Sequence, residues 1–171
     1  MEIIADLQIH SKYARATSKN INFENLEKYA RIKGLHLLGV GDFQHPLQRK
    51  EIEEKLKEDA NGILWTKTGF PFLWQTEVSL MYSQGGKRRA VHLLIFAPNK
   101  KTSDAIIFYL SSKGRLDYDG RPIFGITCPQ LVKDLKLISD DIEIIPAHCM
   151  TPWFGIFGSD SGFDSLEECF N

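Results

Sequence analysis

The chain has 171 residues, of which 43% are hydrophobic and 25% are charged, and this balance excludes an intrinsically disordered protein. A formal net charge of -1 excludes nucleic-acid binding driven by a global positive field, so phosphate contacts must come from local basic patches or bound cations. No apolar run approaches the roughly 18 residues of a membrane span. Three widely spaced cysteines suit a reducing compartment. We therefore expect a cytoplasmic protein with no membrane partner.

Segments with strand and helix character alternate along most of the chain. The predicted strands are residues 2–7, 35–40, 72–83, 88–96 and 142–146, and the predicted helices are residues 22–33, 46–57, 103–112 and 129–138. Residues 84–87, which include two glycines, predict a hairpin turn between the third and fourth strands. This alternation indicates a mainly parallel α/β fold.

The sequence ends in a segment, residues 164–170, that is typical of the first turn of a helix. An isolated helix of that length is marginal in water. We therefore expect residues 1–171 to be a single domain that is the N-terminal part of a truncated whole.

Acidic, amide and imidazole side chains cluster around the predicted strands. The set consists of Asp6, Gln8 and His10 after the first strand, Asp42 and His45 after the second, Glu77 and His92 in the two hairpin strands, and His148 after the last. In parallel α/β folds the carboxyl ends of strands form ligand sites, so we expect these side chains to converge.

A mixed set of carboxylates and imidazoles is typical of sites for divalent transition metals. Glu77 is the candidate bridge between two ions, because a carboxylate buried in an apolar strand is costly unless it is paired or metal-bound. Such ion pairs activate water and stabilise phosphoryl transfer. The alternative is that each histidine is a hydrogen-bonded structural residue and Asp42 a turn or cap residue. Convergence at several strands favours the metal site.

Several of these segments resemble motifs of the polymerase and histidinol phosphatase (PHP) superfamily. Residues 6–11 (DLQIHS) resemble its first motif, Gly41 with Asp42 resembles the second, and Glu77 and His148 match later positions. The sequence is more similar still to the endonuclease Q family within that superfamily. The segments that carry this similarity are residues 16–19 (ATSK), 41–46 (GDFQHP), 89–94 (RAVHLL) and 146–155 (PAHCMTPWFG).

The resemblance extends over essentially the whole chain and implies a fold, a cofactor and an activity. The fold would be an incomplete, distorted (β/α)7 barrel whose final strands are missing. The activity would be that of a metal-dependent endonuclease of DNA repair, which cuts DNA 5′ to deaminated bases or abasic sites with two or three zinc, manganese or magnesium ions. The implied metal ligands are Asp6, Gln8, His10, Asp42, Glu77, His92 and His148, and the implied catalytic residues are Asp42, His45 and Glu77.

The sequence departs from the family pattern in ways that affect activity. Position 8 is glutamine where the family has histidine, and an amide oxygen is a poorer zinc ligand than imidazole. The Asp-x-His pair that closes the barrel does not follow His148, and a cysteine-rich C-terminal zinc region is absent. We expect this chain to be inactive alone if a second chain carries the missing C-terminal portion.

Basic and aromatic residues near the predicted site are candidates for DNA contacts. Lys12, Arg15 and Lys19 follow the first strand and either bind flanking phosphates or belong to a solvated loop. Arg88 at the hairpin either contacts DNA or protects a sheet edge from aggregation. Trp153 and Phe154 either stack on an extruded base or plug the barrel rim.

Two other functions compete with the endonuclease. A small-molecule phosphomonoesterase of the histidinol phosphatase kind would share the metals but would not need the aromatic loop or the basic hairpin. A degenerate, non-catalytic module would use an exposed barrel edge to bind a partner chain.

Overall fold

A computed structural model describes residues 2–170, which form a mixed α/β fold built on an open eight-stranded sheet. The strands are β1 (Ala5–Asp6), β2 (Leu37–Gly39), β3 (Lys57–Glu58), β4 (Leu64–Trp65), β5 (Pro71–Gln84), β6 (Lys87–Ala97), β7 (Ile123–Phe124) and β8 (Glu143–Pro146). The helices are α1 (Phe23–Lys33), α2 (Pro46–Lys55), α3 (Lys100–Ser111), α4 (Cys128–Ile138) and α5 (Leu166–Phe170).

The helices begin and end at residues with local capping chemistry. The side chain of Asn22 accepts a hydrogen bond from the backbone N–H of Asn25 at the start of α1, and Gly34 ends that helix at a φ of 72°. Proline stands in the first turn of α2 and of α4, where its missing N–H costs nothing. These signals lie in the sequence itself, and the four predicted helices are therefore confirmed.

The long strand β5 organises the sheet. Its first residues pair in parallel with β2 and antiparallel with β4, and the rest forms a hairpin with β6. The hairpin turn contains Gly85 at φ 61° and Gly86 at φ 72°, the left-handed pair that a type I′ turn requires. β7 pairs in parallel with β5, and β8 pairs antiparallel with β6 and so runs with β5. The predicted α/β class is thus confirmed, but the expectation of a mainly parallel sheet is wrong. Four of the seven strand pairs among residues 2–170, namely β3–β4, β4–β5, β5–β6 and β6–β8, are antiparallel.

The two faces of the sheet have different roles. The main core lies between the sheet and the helices and includes the fully buried Phe43, Phe72 and Trp74. A smaller apolar cluster of Leu94, Phe96 and Ala147, with Leu7 against it, lies on the inner face of the curved sheet. Leu94 is the cross-strand partner of Glu77, so this cluster forms the apolar floor beneath the polar site described below.

The C-terminal segment packs against the hairpin. Arg89 forms an ion pair with Glu168 and a hydrogen bond to the carbonyl of Gly162. Gln84 donates to the carbonyl of Glu168 at 2.8 Å, and Cys169 is fully buried. These contacts stabilise α5 although it has five residues. Among residues 2–170, no helix combines the length and apolarity that crossing a bilayer demands.

Candidate metal centre

A buried carboxylate forms the centre of the polar site. Glu77, on the inner face of β5, is fully shielded from solvent. Its Oε2 lies 3.1 Å from Nε2 of His10 and accepts a hydrogen bond of 3.1 Å from Nε2 of Gln8. Its Oε1 lies 2.9 Å from Nδ1 of His92 and 3.5 Å from Nε2 of His148.

The geometry around Oε1 of Glu77 fits a metal ion better than a hydrogen-bond network. Although imidazole nitrogens surround this buried oxygen, it accepts no well-directed hydrogen bond from residues 2–170. Ligand atoms of Glu77, His92 and His148 all lie within 4.8 Å of one another. One carboxylate oxygen and two imidazole nitrogens form a donor set suited to zinc or manganese. This cluster could therefore hold a metal ion.

His10 is oriented by Asp42. Nδ1 of His10 lies 2.9 Å from Oδ1 of Asp42, which leaves Nε2 facing Glu77. The other oxygen of Asp42 accepts hydrogen bonds from the backbone N–H and the hydroxyl of Ser11, at 2.6 and 2.7 Å. Asp42 is fully buried and already satisfied by these donors. Its geometry is that of the carboxylate that fixes the tautomer of a metal-binding histidine.

Gln75 connects the loops that carry these residues. It lies two residues before Glu77 on the same face of β5, and its Oε1 accepts from the N–H groups of Gly41 and Ile9, at 3.2 and 3.4 Å. A side chain at Gly39 would meet the same oxygen at 2.5 Å. Sequence reasoning missed Gln75, although an amide two positions before Glu77 in the same apolar strand, and so on the same face, was a usable signal.

Backbone strain is concentrated at the site. Of the four non-glycine residues with positive φ in the described chain, three are Asp42 at 51°, His148 at 33° and Phe154 at 62°. Such conformations are costly for residues with a Cβ and persist where surrounding contacts impose them. Here they aim side chains toward the cluster.

The aromatic loop supports both histidines of the cluster. Phe154 stacks on His92, with ring centroids 4.3 Å apart and an angle of 19° between the planes. Its carbonyl accepts a hydrogen bond of 2.9 Å from the N–H of His92. Nδ1 of His148 lies 2.9 Å from the hydroxyl of Thr151, which leaves Nε2 facing Glu77.

The electrostatics of the site keep Glu77 ionised. Burial opposes this, but the close contacts with His10 and His92 outweigh it and hold the pKa of Glu77 well below its usual range. Burial lowers the pKa of His10, yet its bonds to Asp42 and Glu77 raise the net pKa to about 9. Burial dominates at His92 and lowers its pKa. At neutral pH Glu77 is therefore an ionised carboxylate next to a protonated His10 and a neutral His92.

Two predicted site residues lie elsewhere. Asp6 faces α1 and lines a groove of about 410 Å3 with Leu26, Tyr29 and Lys33, and no contact joins it to Glu77 within residues 2–170. His45 is buried, stacks on Tyr13 and caps α2 by accepting from the N–H of Leu47 at 3.3 Å. Burial lowers the pKa of His45.

The residues predicted to contact DNA differ in their surroundings. Lys12 pairs with Glu51 at 2.6 Å, and Nε of Arg15 lies 3.4 Å from Oδ2 of Asp119. The others are Lys19 and Arg88, which are exposed, Trp153, which is 63% exposed, and Phe154, which is half-buried.

Sequence reasoning also missed a cation at the site. NH1 of Arg121 lies 3.6 Å from Oε1 of Glu77. Ser79 pairs with Ile123 in the ladder between β5 and β7, so Arg121, two residues earlier, lies level with Glu77. The rule that ligands gather after strands could not find it, because Arg121 precedes β7.

These features define an α/β protein with an open sheet and a Glu/His/His cluster that could hold a metal ion. No family model matches the sequence. The sequence is 32% identical over 148 residues to an uncharacterized protein of Methanocaldococcus jannaschii. The match covers 86% of this chain and 16% of that protein.

Two solved structures share the fold. The lesion-specific endonuclease PfuEndoQ from Pyrococcus furiosus superposes with a TM-score of 0.84 and 27% identity over 99% of this chain and 39% of that chain. The second is endonuclease Q in complex with a 27-mer duplex substrate with an abasic lesion at the active site. It superposes with a TM-score of 0.84 and 30% identity over 98% of this chain and 39% of that chain. The fold is endonuclease Q-like, and the chain spans well under half the length of these proteins.

Proposed function

We propose that the chain carries the metal-binding part of a PHP-type endonuclease of DNA repair, which cuts DNA 5′ to deaminated bases or abasic sites. The observation that carries this proposal is the buried Glu77 carboxylate with three imidazoles around it. The similarity to two endonuclease Q structures, one of them bound to a duplex with an abasic lesion, supports DNA as the substrate.

The chain's own residues have distinct proposed roles. Glu77, His10, His92 and His148 would hold two or three divalent ions, zinc, manganese or magnesium. Such ions supply Lewis-acid polarisation of the phosphate and activation of water when bound. Gln8 occupies the position where the family has histidine, and its side chain donates to Glu77 and orients that carboxylate.

The roles predicted for three further residues stay proposals with different degrees of structural support. Asp42 acts through His10, because both of its oxygens are already engaged. A ligand role for Asp6 would require it to turn away from the α1 groove. His45 stays a proposed catalytic residue, although its Nδ1 already accepts from the N–H of Leu47 and burial lowers its pKa.

The loop after His148 is the proposed lesion-recognition element. Trp153 is largely exposed while its neighbour Phe154 stacks on His92. An exposed indole beside a metal site offers a stacking surface for an extruded base, and such base–aromatic stacking contributes about 1–3 kcal/mol per base. Phe154, in contrast, supports the cluster from below.

The proposed function is tested with labelled duplexes that contain one abasic site, uracil or hypoxanthine. We expect cleavage 5′ to the lesion that needs added manganese, magnesium or zinc and disappears with EDTA and in Glu77→Gln. Glu54→Gln, on the exposed face of α2, is the matched control. Full cleavage in EDTA, or turnover of histidinol phosphate with none of the lesion duplexes, would contradict the proposal and favour the phosphomonoesterase.

A module that binds a partner chain, either degenerate or as one half of a split protein, is the second candidate, and the sheet edges favour it. β1 and β8 each pair on one side only within residues 2–170, and Ile3, Ile4 and Ile145 are about half exposed near those edges. We propose that further strands pair there and complete the (β/α)7 barrel, either in a longer protein or from a second chain. A chain that binds metal but cleaves only after a C-terminal fragment of endonuclease Q is added would support this arrangement.

A further inference from the structure

Arg121 differs from the other partly buried arginines in having unused hydrogen-bonding capacity. Arg49 bonds to Glu53, Ser103 and Asp104, and Arg89 to two backbone carbonyls and Glu168. The guanidinium of Arg121 makes no hydrogen bond to any residue of 2–170 and has only the 3.6 Å approach to Glu77. Its side chain is 34% exposed, so it reaches both the cluster and solvent.

The loop that carries Arg121 is held tightly. The N–H of Arg121 donates to Oδ1 of Asp119 at 3.2 Å, and the carbonyl of Gly120 accepts from Nε2 of Gln44 at 2.6 Å. Gly120 lies so close to Asp42 that an added Cβ would come within 2.2 Å of Oδ2. The backbone beneath Arg121 is thus fixed relative to the site.

A second unused donor lies on the same face of β5 as Glu77, two residues further along the strand. The hydroxyl of Ser79 is buried and has no hydrogen-bond partner among residues 2–170. Ser79 is the cross-strand partner of His92, and its N–H donates to the carbonyl of Pro122 at 2.9 Å. Buried hydroxyls without partners are rare, and this one, on the face of β5 that carries Glu77, indicates a missing acceptor.

We propose that Arg121 and Ser79 form an anion subsite that binds a non-bridging oxygen of the phosphate group next to the Glu77 cluster. This inference rests on the proposed function. When a divalent cation shares the charge of Glu77, the guanidinium 3.6 Å away faces net positive charge and loses its attraction to the carboxylate. A phosphate oxygen restores the balance, and the planar fork of arginine matches its geometry.

The test measures inorganic phosphate binding to the manganese-loaded full chain by 31P relaxation, together with manganese content by atomic emission. Arg121→Ala should weaken phosphate binding by about tenfold or more at unchanged manganese content, since bonds to charged groups are the stronger ones. The phosphate affinity of Arg121→Lys should lie between that of Arg121→Ala and that of the wild type, because lysine keeps the positive charge but lacks the planar guanidinium. Ser79→Ala should weaken binding by a smaller factor. Arg115→Ala is the matched control, because Arg115 is 75% exposed and pairs with Asp117 alone.

Each outcome decides a different point. Phosphate affinity of Arg121→Ala within about twofold of the wild type overturns the subsite and leaves the proposed function intact. Loss of manganese together with phosphate would show that Arg121 merely supports Glu77, and it also overturns the subsite. A wild-type chain that holds none of manganese, zinc and magnesium overturns both the subsite and the proposed function.

Discussion

His10 and Asp42 form a pair in which Nδ1 of the imidazole lies 2.9 Å from Oδ1 of the carboxylate, and this contact decides which ring nitrogen faces Glu77. The same carboxylate accepts two bonds from Ser11. Asp42 therefore connects the loop after β1 to the loop after β2 and controls His10 without needing to touch a metal.

Replacement of Asp42 by asparagine should impair metal binding more than folding. The amide keeps the shape but can donate to Nδ1 of His10, which selects the wrong tautomer. Replacement of a hydrogen-bond partner that orients a metal-binding histidine lowers metal affinity by about 10–100-fold. Competition titration with a zinc-sensitive dye measures that affinity, and Asp140→Asn, at an exposed turn, is the control. Unchanged affinity in Asp42→Asn would contradict the orienting role.

Gly120→Ala should destabilise the protein and the site together. The new Cβ would lie 2.2 Å from Oδ2 of Asp42 and 2.7 Å from Cβ of Ala14, so the buried carboxylate must move. Overpacking of this kind costs about 1–3 kcal/mol. Gly125→Ala is the control, because its Cβ would meet a single neighbour at 4.0 Å. Urea denaturation of both variants tests the difference, and equal stabilities would show that the loop yields.

Trp153→Ala and Phe154→Ala should affect different properties: the first should weaken lesion binding, and the second should lower metal content. Trp153 is exposed, so its loss should leave stability and metal content unchanged and weaken binding to a duplex that contains a deaminated base such as uracil. Phe154 stacks on His92, so its loss should lower metal content. Fluorescence anisotropy and metal analysis of the two variants separate these effects. Equal loss of both properties in Trp153→Ala would indicate a structural plug.

Glu27 should stabilise the fold in a pH-dependent way. Burial opposes ionisation of Glu27, but the Thr68 hydroxyl, 2.7 Å from each carboxylate oxygen, and Nε of Arg31, at 2.9 Å, donate to the carboxylate and lower its pKa from 4.5. A lowered folded-state pKa contributes stability above the unfolded-state value, which is lost as the pH falls through the folded value. Glu27→Gln should therefore cost about 1–2 kcal/mol at neutral pH, and the cost should shrink below pH 4.5.

Thermal unfolding of the wild type and Glu27→Gln across this pH range provides the measurement. Glu54→Gln, which removes an exposed partner 3.8 Å from Lys50, should change stability by less than about 0.5 kcal/mol at every pH. A Glu27→Gln penalty that stays constant with pH would show that the lost contacts are not those of the ionised carboxylate.

The sequence predicted the elements whose signals are local. Asn22 and Gly34 bound α1 through their own chemistry, and Gly85 and Gly86 specify the hairpin turn. The strands β3, β4 and β7 were missed because each has two residues and exists through pairing with a neighbour. No periodic pattern can develop over that length.

The candidate site was predictable to a similar extent. Glu77 stood out because a carboxylate in an apolar strand needs partners, and the histidines that meet it were among those predicted. Arg121 was not predictable, because its position depends on the register of β7 against β5. The direction of the Asp42 side chain, toward an ion or toward His10, was not predictable either. It depends on the strained backbone at Asp42, with a φ of 51°, which composition does not reveal.

The most direct test is crystallography of the full chain soaked in zinc or manganese, with anomalous diffraction used to locate the ions. The account predicts an anomalous peak about 2.0–2.2 Å from ligand atoms of Glu77, His92 and His148. The peak should disappear in Glu77→Gln. An intact fold with no peak among these side chains at saturating metal, or a peak that persists in Glu77→Gln, would contradict the account.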